Sequence, residues 1–189
     1  MNELPSTASL EEELRRVKHA GRFRSTLRST FFTLVVVAAL AVLVAVLWMP
    51  VLQIFGASMS PTLVDGELVV SVKTSDLQQG DVVSFYYNNK ILVKRVIAGP
   101  GDWVDITDEG DVYVNDKLLD EPYVSEKSLG DCDIQLPYQV PESRVFVMGD
   151  HRSVSVDSRT QEVGPVSEEQ LVGKLVFRIW PLSRIGAIQ

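Results

Sequence analysis

The chain has 189 residues, 46% of them apolar, which is enough for one domain with a sizeable core or for such a domain plus a small annex. Its net charge of −7 is unevenly spread: residues 1–28 hold six Lys/Arg against four Asp/Glu, and the remainder hold 12 against 21. An acidic body without a basic cluster argues against nucleic acid as a partner. A single cysteine, Cys132, excludes an internal disulfide and a cysteine-based metal cage.

In chain order, Ser9 with Glu12 forms a capping-box pattern opening "LEEELRRVKHAGRFR", read as a solvated or surface-lying helix without chemistry. From Ser29 to Val64 there is no charged side chain. Within that stretch, "FFTLVVVAALAVLVAVLWMP" (Phe31–Pro50) is long enough to cross a bilayer's hydrocarbon core, and a cleavable signal peptide has only 7–15 apolar residues there. The expected organisation is a cytoplasmic lead at 1–28, a retained transmembrane anchor at 29–53 and an extracytoplasmic domain at 54–189. Arg15, Arg16, Lys18, Arg22, Arg24 and Arg28 crowd one flank, whereas the first positive charge downstream is Lys73. Positive residues stay inside, so the N-terminus is expected in the cytoplasm of a single-pass plasma-membrane protein, with Trp48 at the outer interface.

Beyond Leu63 the period changes. "ELVVSVK", "DVVSFYY", "KILVKRVIAG", "WVDIT", "DVYVN", "RVFVMGD" and "KLVFRIW" are short β-branched and aromatic runs separated by turn residues. The Asn-Asn pair in "YYNNKI" predicts a hairpin, because Asn tolerates the left-handed turn conformation. "PVSEEQLVG" predicts one helical turn, with Ser167 as its cap. The fold class expected is mainly β: a transmembrane helix followed by a complex β domain. Residues 103–143, rich in acids and turns, are expected to form a hairpin-rich insertion lying away from the core.

The chemistry available is narrow. His19 and His151 fall on opposite sides of the membrane, so no two-histidine metal site is expected, and no Walker loop or dinucleotide fingerprint points to a cofactor. A serine can instead be activated by a lysine kept neutral through burial. "ILVKRVIAG" places Lys94 inside an apolar strand, sharing a face with Leu92 and Val96 by period 2. A lone lysine on a half-buried strand ordinarily faces solvent, so this signal needs company.

Three stretches supply it. "GASMSPTL", "KRVIAGPGD" and "VMGDHRSVSVDSR", in that order after an N-terminal anchor, closely resemble the bacterial type I signal peptidases, membrane-bound Ser-Lys endopeptidases. The resemblance covers about 30–182 apart from most of 103–143, where "YVNDKLLDEPYV" is similar to a hairpin of that family. It implies Ser58 as nucleophile, Lys94 as general base, Ser155 as a hydroxyl orienting the lysine, and Asp150, Arg152, Asp157 and Arg159 as support around the dyad. Gly56, Met59 and Pro61 fall in the substrate or oxyanion loop, with Pro61 fixing its own φ and restricting Ser60.

Two positions depart from the family pattern. Gly56 stands where many members carry a serine that helps bind the oxyanion, although a glycine there resembles the Gram-positive members, and His151 stands where asparagine is common. The implied substrates are secretory precursors with signal peptides; the implied surroundings are a lipid bilayer, with no cofactor, metal or obligate protein partner. Rival readings are a self-cleaving repressor-type Ser-Lys protease, a non-catalytic assembly factor and a membrane-anchored binding domain. The anchor opposes the first, retention of Ser58 and Lys94 the second, and the three ordered motifs the third.

Overall fold

The computed structural model describes residues 26–44 and 49–188. The helix expected after Ser9 and the interfacial Trp48 lie outside the described residues. The chain divides into two compact units, Met1–Leu47 and Trp48–Gln189.

The first unit is represented by helix α1, Thr26–Val44. At 1.5 Å per residue it is about 28 Å long, close to the thickness of a hydrocarbon core. Of its apolar side chains, Leu27, Phe31, Leu34, Leu40 and Val44 are more than half exposed. Among the described residues of this unit nothing covers them, as suits a helix whose solvent is lipid.

The second unit is built on antiparallel strands: β1 Val51–Gln53, β2 Leu68–Val72, β3 Val82–Tyr87, β4 Lys90–Ala98, β5 Trp103–Ile106, β6 Val112–Val114, β7 Lys117–Leu118, β8 Tyr138–Gln139, β9 Arg144–Met148, β10 Val166–Ser167, β11 Leu171–Trp180 and β12 Gly186–Ala187. The larger sheet runs β1-β2-β11-β3-β4-β9-β10, with β12 beside β11. The smaller runs β7-β6-β5-β8. The β3–β4 hairpin turns through Asn88 and Asn89 at φ 44° and 62°, the left-handed values for which the Asn-Asn pair was read. Ser167 heads a single 3₁₀ turn, Glu168–Gln170, its N–H donating to the Gln170 side chain at 3.0 Å.

Two boundaries differ from expectation. Val51–Gln53, assigned to the anchor, pair instead with β2 through Val51↔Val70 and Gln53↔Leu68. The apolar run simply continues past Pro50 into a strand, and hydropathy alone cannot mark the change. The stretch 103–143 does not lie away from the core. Val104, Ile106, Val112 and Val140 pack with Ile97, Ala98, Phe146 and Met148 of β4 and β9 in one buried cluster. β5 alternates exposed and buried residues, with Asp105 on the outward side and Val104 and Ile106 pointing in. A second cluster, of Ile54, Met59, Leu63, Val69, Val82 and Leu175, lies beneath the segment that follows β1.

Candidate active site

Ser58 lies in the segment between β1 and β2, and Lys94 lies mid-way along β4. Their side chains meet: Lys94 Nζ donates to Ser58 Oγ at 2.8 Å. Met59, only 2% exposed, anchors the serine from behind by packing into the cluster under the loop. The loop is further held by the His151 N–H, which donates to the Ser58 carbonyl at 3.1 Å. The contribution of His151 seen here is thus made by its backbone.

Lys94 is 3% exposed. Burial pushes its amine down from 10.5 to about 8; the Asp157 and Asp150 carboxylates oppose that shift and the Arg159 guanidinium adds to it. Desolvation disfavours the charged form, and among the described residues the amine's one hydrogen-bond partner is a neutral hydroxyl. The amine is therefore neutral in a substantial fraction of molecules at mildly alkaline pH, as a proton acceptor must be.

Behind the dyad stands a set of saturated ion pairs. Arg95, next to Lys94 but on the opposite face of β4, grips Asp150 with Nε and Nη2 at 2.9 and 2.7 Å and donates to the Gly80 carbonyl. Asp150 also accepts from the Thr62 hydroxyl, tying the loop that carries Ser58 to Arg95 of β4. Arg159 grips Asp157, which also accepts from the Gly149 N–H and the Ser155 hydroxyl. Burial alone would raise the Asp157 carboxyl, but these donors hold it below the usual carboxylate value. Arg152 pairs with Glu121 and donates to the Gly149 carbonyl.

All the residues implied by the three motifs are thus brought together, with one change of partner. The Ser155 hydroxyl donates to Asp157 at 2.6 Å, and the amine of Lys94 bonds to Ser58 alone. Sequence reading missed four contributors. Thr62 and Gly149 sit inside motifs already singled out; a Cβ at Gly149 would run into Ser155 Oγ and the Ser58 carbonyl oxygen. Glu121 and Tyr123, whose ring lies 3.9 Å from the Arg95 guanidinium, come from the stretch read as remote. A lone "EPY" in an acidic segment carried no signal of burial.

The serine opens onto a groove of about 720 Å³ between Val51–Gly56 on one wall and Asn89–Val93 on the other. β1 is the end strand of its sheet, and Lys90–Val93 pair with β3 only, since the pairs of β4 with β9 begin at Arg95. Gly56 has φ +85°, a conformation natural to glycine, and its N–H donates to Asp65 Oδ1 at 2.7 Å. It thus offers neither a hydroxyl nor a free N–H. The Ser58 N–H makes no hydrogen bond among the described residues and is free for an incoming oxygen. Pro61 takes part in the tight turn beyond the serine, and its carbonyl accepts from Arg184. Among the described residues no cluster of His, Cys, Asp and Glu could hold a metal ion.

Residues 27–180 match the family described as "Signal peptidase, peptidase S26". Signal peptidase IB of Staphylococcus aureus is 43% identical over 148 residues, covering 68% of this chain and 76% of that one. Thylakoidal processing peptidase 1, chloroplastic, of Arabidopsis thaliana is 36% identical over 146 residues, covering 68% and 41%. A signal peptidase I of Enterococcus faecalis V583, known from a crystal structure, shares 28% identity at a TM-score of 0.44, covering 55% of this chain and 99% of that one. The family match runs from the apolar helix to the last residue of β11 and takes in both the serine and the buried lysine it touches: the chain belongs to the S26 signal peptidases.

Proposed function

We propose that this membrane-bound serine peptidase removes N-terminal signal peptides from exported precursors, with Ser58 as nucleophile and Lys94 as general base. Neutral Lys94 Nζ takes the Ser58 proton as Oγ attacks the scissile carbonyl. It then gives that proton to the leaving amine, and afterwards activates the water that cleaves the ester. The developing oxyanion is stabilised by the Ser58 N–H, with no hydroxyl available at Gly56. Asp150, Arg152, Ser155, Asp157 and Arg159 hold the two reacting groups in place and move no proton.

The precursor lies extended in the groove and adds main-chain hydrogen bonds to the open edges of β1 and of Lys90–Val93, with the small residues before its cut seated near Met59. Helix α1 is the anchor, the basic lead lies in the cytoplasm, and the domain from about residue 50 onward works at the outer face of the plasma membrane, where signal peptides end. No cofactor and no obligate protein partner enter this scheme.

The observation that carries this reading is the 2.8 Å contact between Ser58 Oγ and a buried amine whose pKa is lowered to about 8. The test is release of mature chain from a secretory precursor by the full-length protein in detergent. Ser58→Ala and Lys94→Arg should each reduce cleavage to background, arginine being unable to lose its proton. Activity retained in Lys94→Arg would rule out the lysine as base.

A further inference from the structure

The loop that carries Ser58 is also held at its far end, by groups that the catalytic scheme does not use. Its neck closes where the Ile54 N–H donates to the Glu67 carbonyl at 2.8 Å and the Gly66 N–H to the Ile54 carbonyl at 2.9 Å. Between these points the carbonyls of Pro61 and Thr62 have no strand beside them. Arg178 Nη2 donates to the Thr62 carbonyl at 2.8 Å, and Arg184 Nη2 to the Pro61 carbonyl at 3.2 Å. Arg178 lies on β11 and Arg184 in the 3₁₀ turn Leu182–Arg184 that follows it.

Both guanidiniums converge on Glu67, which is 3% exposed: Arg178 Nε lies 3.2 Å from Oε2 and Arg184 Nη1 2.7 Å from Oε1. Neither Glu67 Oε1 nor Arg178 Nε has an aligned hydrogen-bond partner, so these contacts act as charge attraction that keeps the two forks over the loop. Burying a carboxylate costs desolvation free energy that ion pairing offsets only in part. What the arrangement gains is two fixed carbonyls, three and four residues after the nucleophile.

We propose that Glu67, Arg178 and Arg184 form a clamp that sets the position of Ser58 against Lys94, an inference that rests on Ser58 being the nucleophile. The three are positioning residues. None lines the groove or touches Lys94, and the loop is tied toward Lys94 by other groups: the Thr62 hydroxyl donates to Asp150, and the His151 N–H to the Ser58 carbonyl. Loss of the clamp therefore leaves substrate binding and the amine's environment in place while the serine shifts. A misplacement of about 1 Å in a reacting group can cost about a hundredfold in rate.

The experiment measures kcat, KM and the pH dependence of precursor cleavage for the full-length protein in detergent, with Arg178→Ala, Arg178→Lys, Arg184→Ala and Glu67→Gln, and with Ser58→Ala as reference. Arg178→Ala and Glu67→Gln should lower kcat by about tenfold to a hundredfold with KM little changed and the pH midpoint unmoved. Arg184→Ala should show a smaller fall of the same kind. Arg178→Lys should recover part of the rate, since an ammonium can still reach one carbonyl. If Arg178→Ala does not fold, the part-exposed Arg184→Ala and the near-isosteric Glu67→Gln decide. Parental kcat in both of these, or a change confined to KM, overturns the clamp while the loss in Ser58→Ala upholds the catalytic reading. A parent that cleaves no precursor, or a Ser58→Ala protein as active as the parent, overturns the catalytic reading itself.

Discussion

Two kinds of buried cation sit side by side in this domain. Arg95, Arg152 and Arg159 are at most 1% exposed, and each meets a carboxylate: Asp150, Glu121 and Asp157 respectively. Lys94 is 3% exposed and meets a hydroxyl. Each buried guanidinium has a carboxylate of matching geometry and carbonyls for its spare donors. The lysine lacks such a partner, so burial works against its charge. In this domain it is the pairing of a buried cation, more than its depth, that separates the scaffold arginines from the lysine proposed as base.

Breaking a pair tests the scaffold half of that contrast and should have the largest effect on stability. Arg152→Met leaves Glu121 buried without its partner and should destabilise the fold by about 3–5 kcal/mol in urea denaturation; adding Glu121→Leu in the same chain should recover most of the loss. A double variant no more stable than the single one would mean that Arg152 acts through the Gly149 carbonyl instead.

Removing the unpaired cation should have the opposite sign. The folded-state pKa of Lys94 is about 8 against 10.5 for the free side chain. Between those values the unfolded chain binds a proton that the folded chain does not, so the folded state gains stability as pH rises through the window and bears the whole cost below it. Lys94→Met, inactive in cleavage, should therefore be more stable than the parent at pH 7, by on the order of 3 kcal/mol before allowing for its lost hydrogen bond. That advantage should shrink steadily from pH 8 to 10.5, as followed by urea denaturation across the range. An advantage independent of pH would reduce it to better packing. The smallest effect belongs at the surface: Lys127 and Asp111 touch but are both exposed, and Asp111→Asn should leave the denaturation midpoint where it is.

The contrast also explains what could be read in advance. Strands were legible because alternation and turn residues are local signals; the Asn88-Asn89 turn is the clearest case. Ser58 and Lys94 were legible only through ordered motifs. By alternation Arg95 should point outward if Lys94 points inward, yet β4 is covered on both faces and both side chains are buried. The pairing of β2 with β11, and Arg178 with it, spans more than a hundred residues of sequence and leaves no local trace. A cation within "KLVFRIW" was nevertheless the same kind of sign as the lysine within "ILVKRV". Glu121 and Tyr123 were missed because an acidic, turn-rich stretch looks solvated when only its outward residues stand out.

If Lys94 is the base, its amine must lose its proton far more readily than an ordinary lysine. The most direct test is a pH titration by NMR of the full-length protein carrying ¹³Cε-labelled lysine, with Lys94→Met identifying the resonance. A midpoint near pH 8, well separated from the remaining lysines, is the predicted result. A midpoint at the ordinary lysine value would contradict the account, because the group beside Ser58 would then be a bound cation with no capacity to accept the hydroxyl proton.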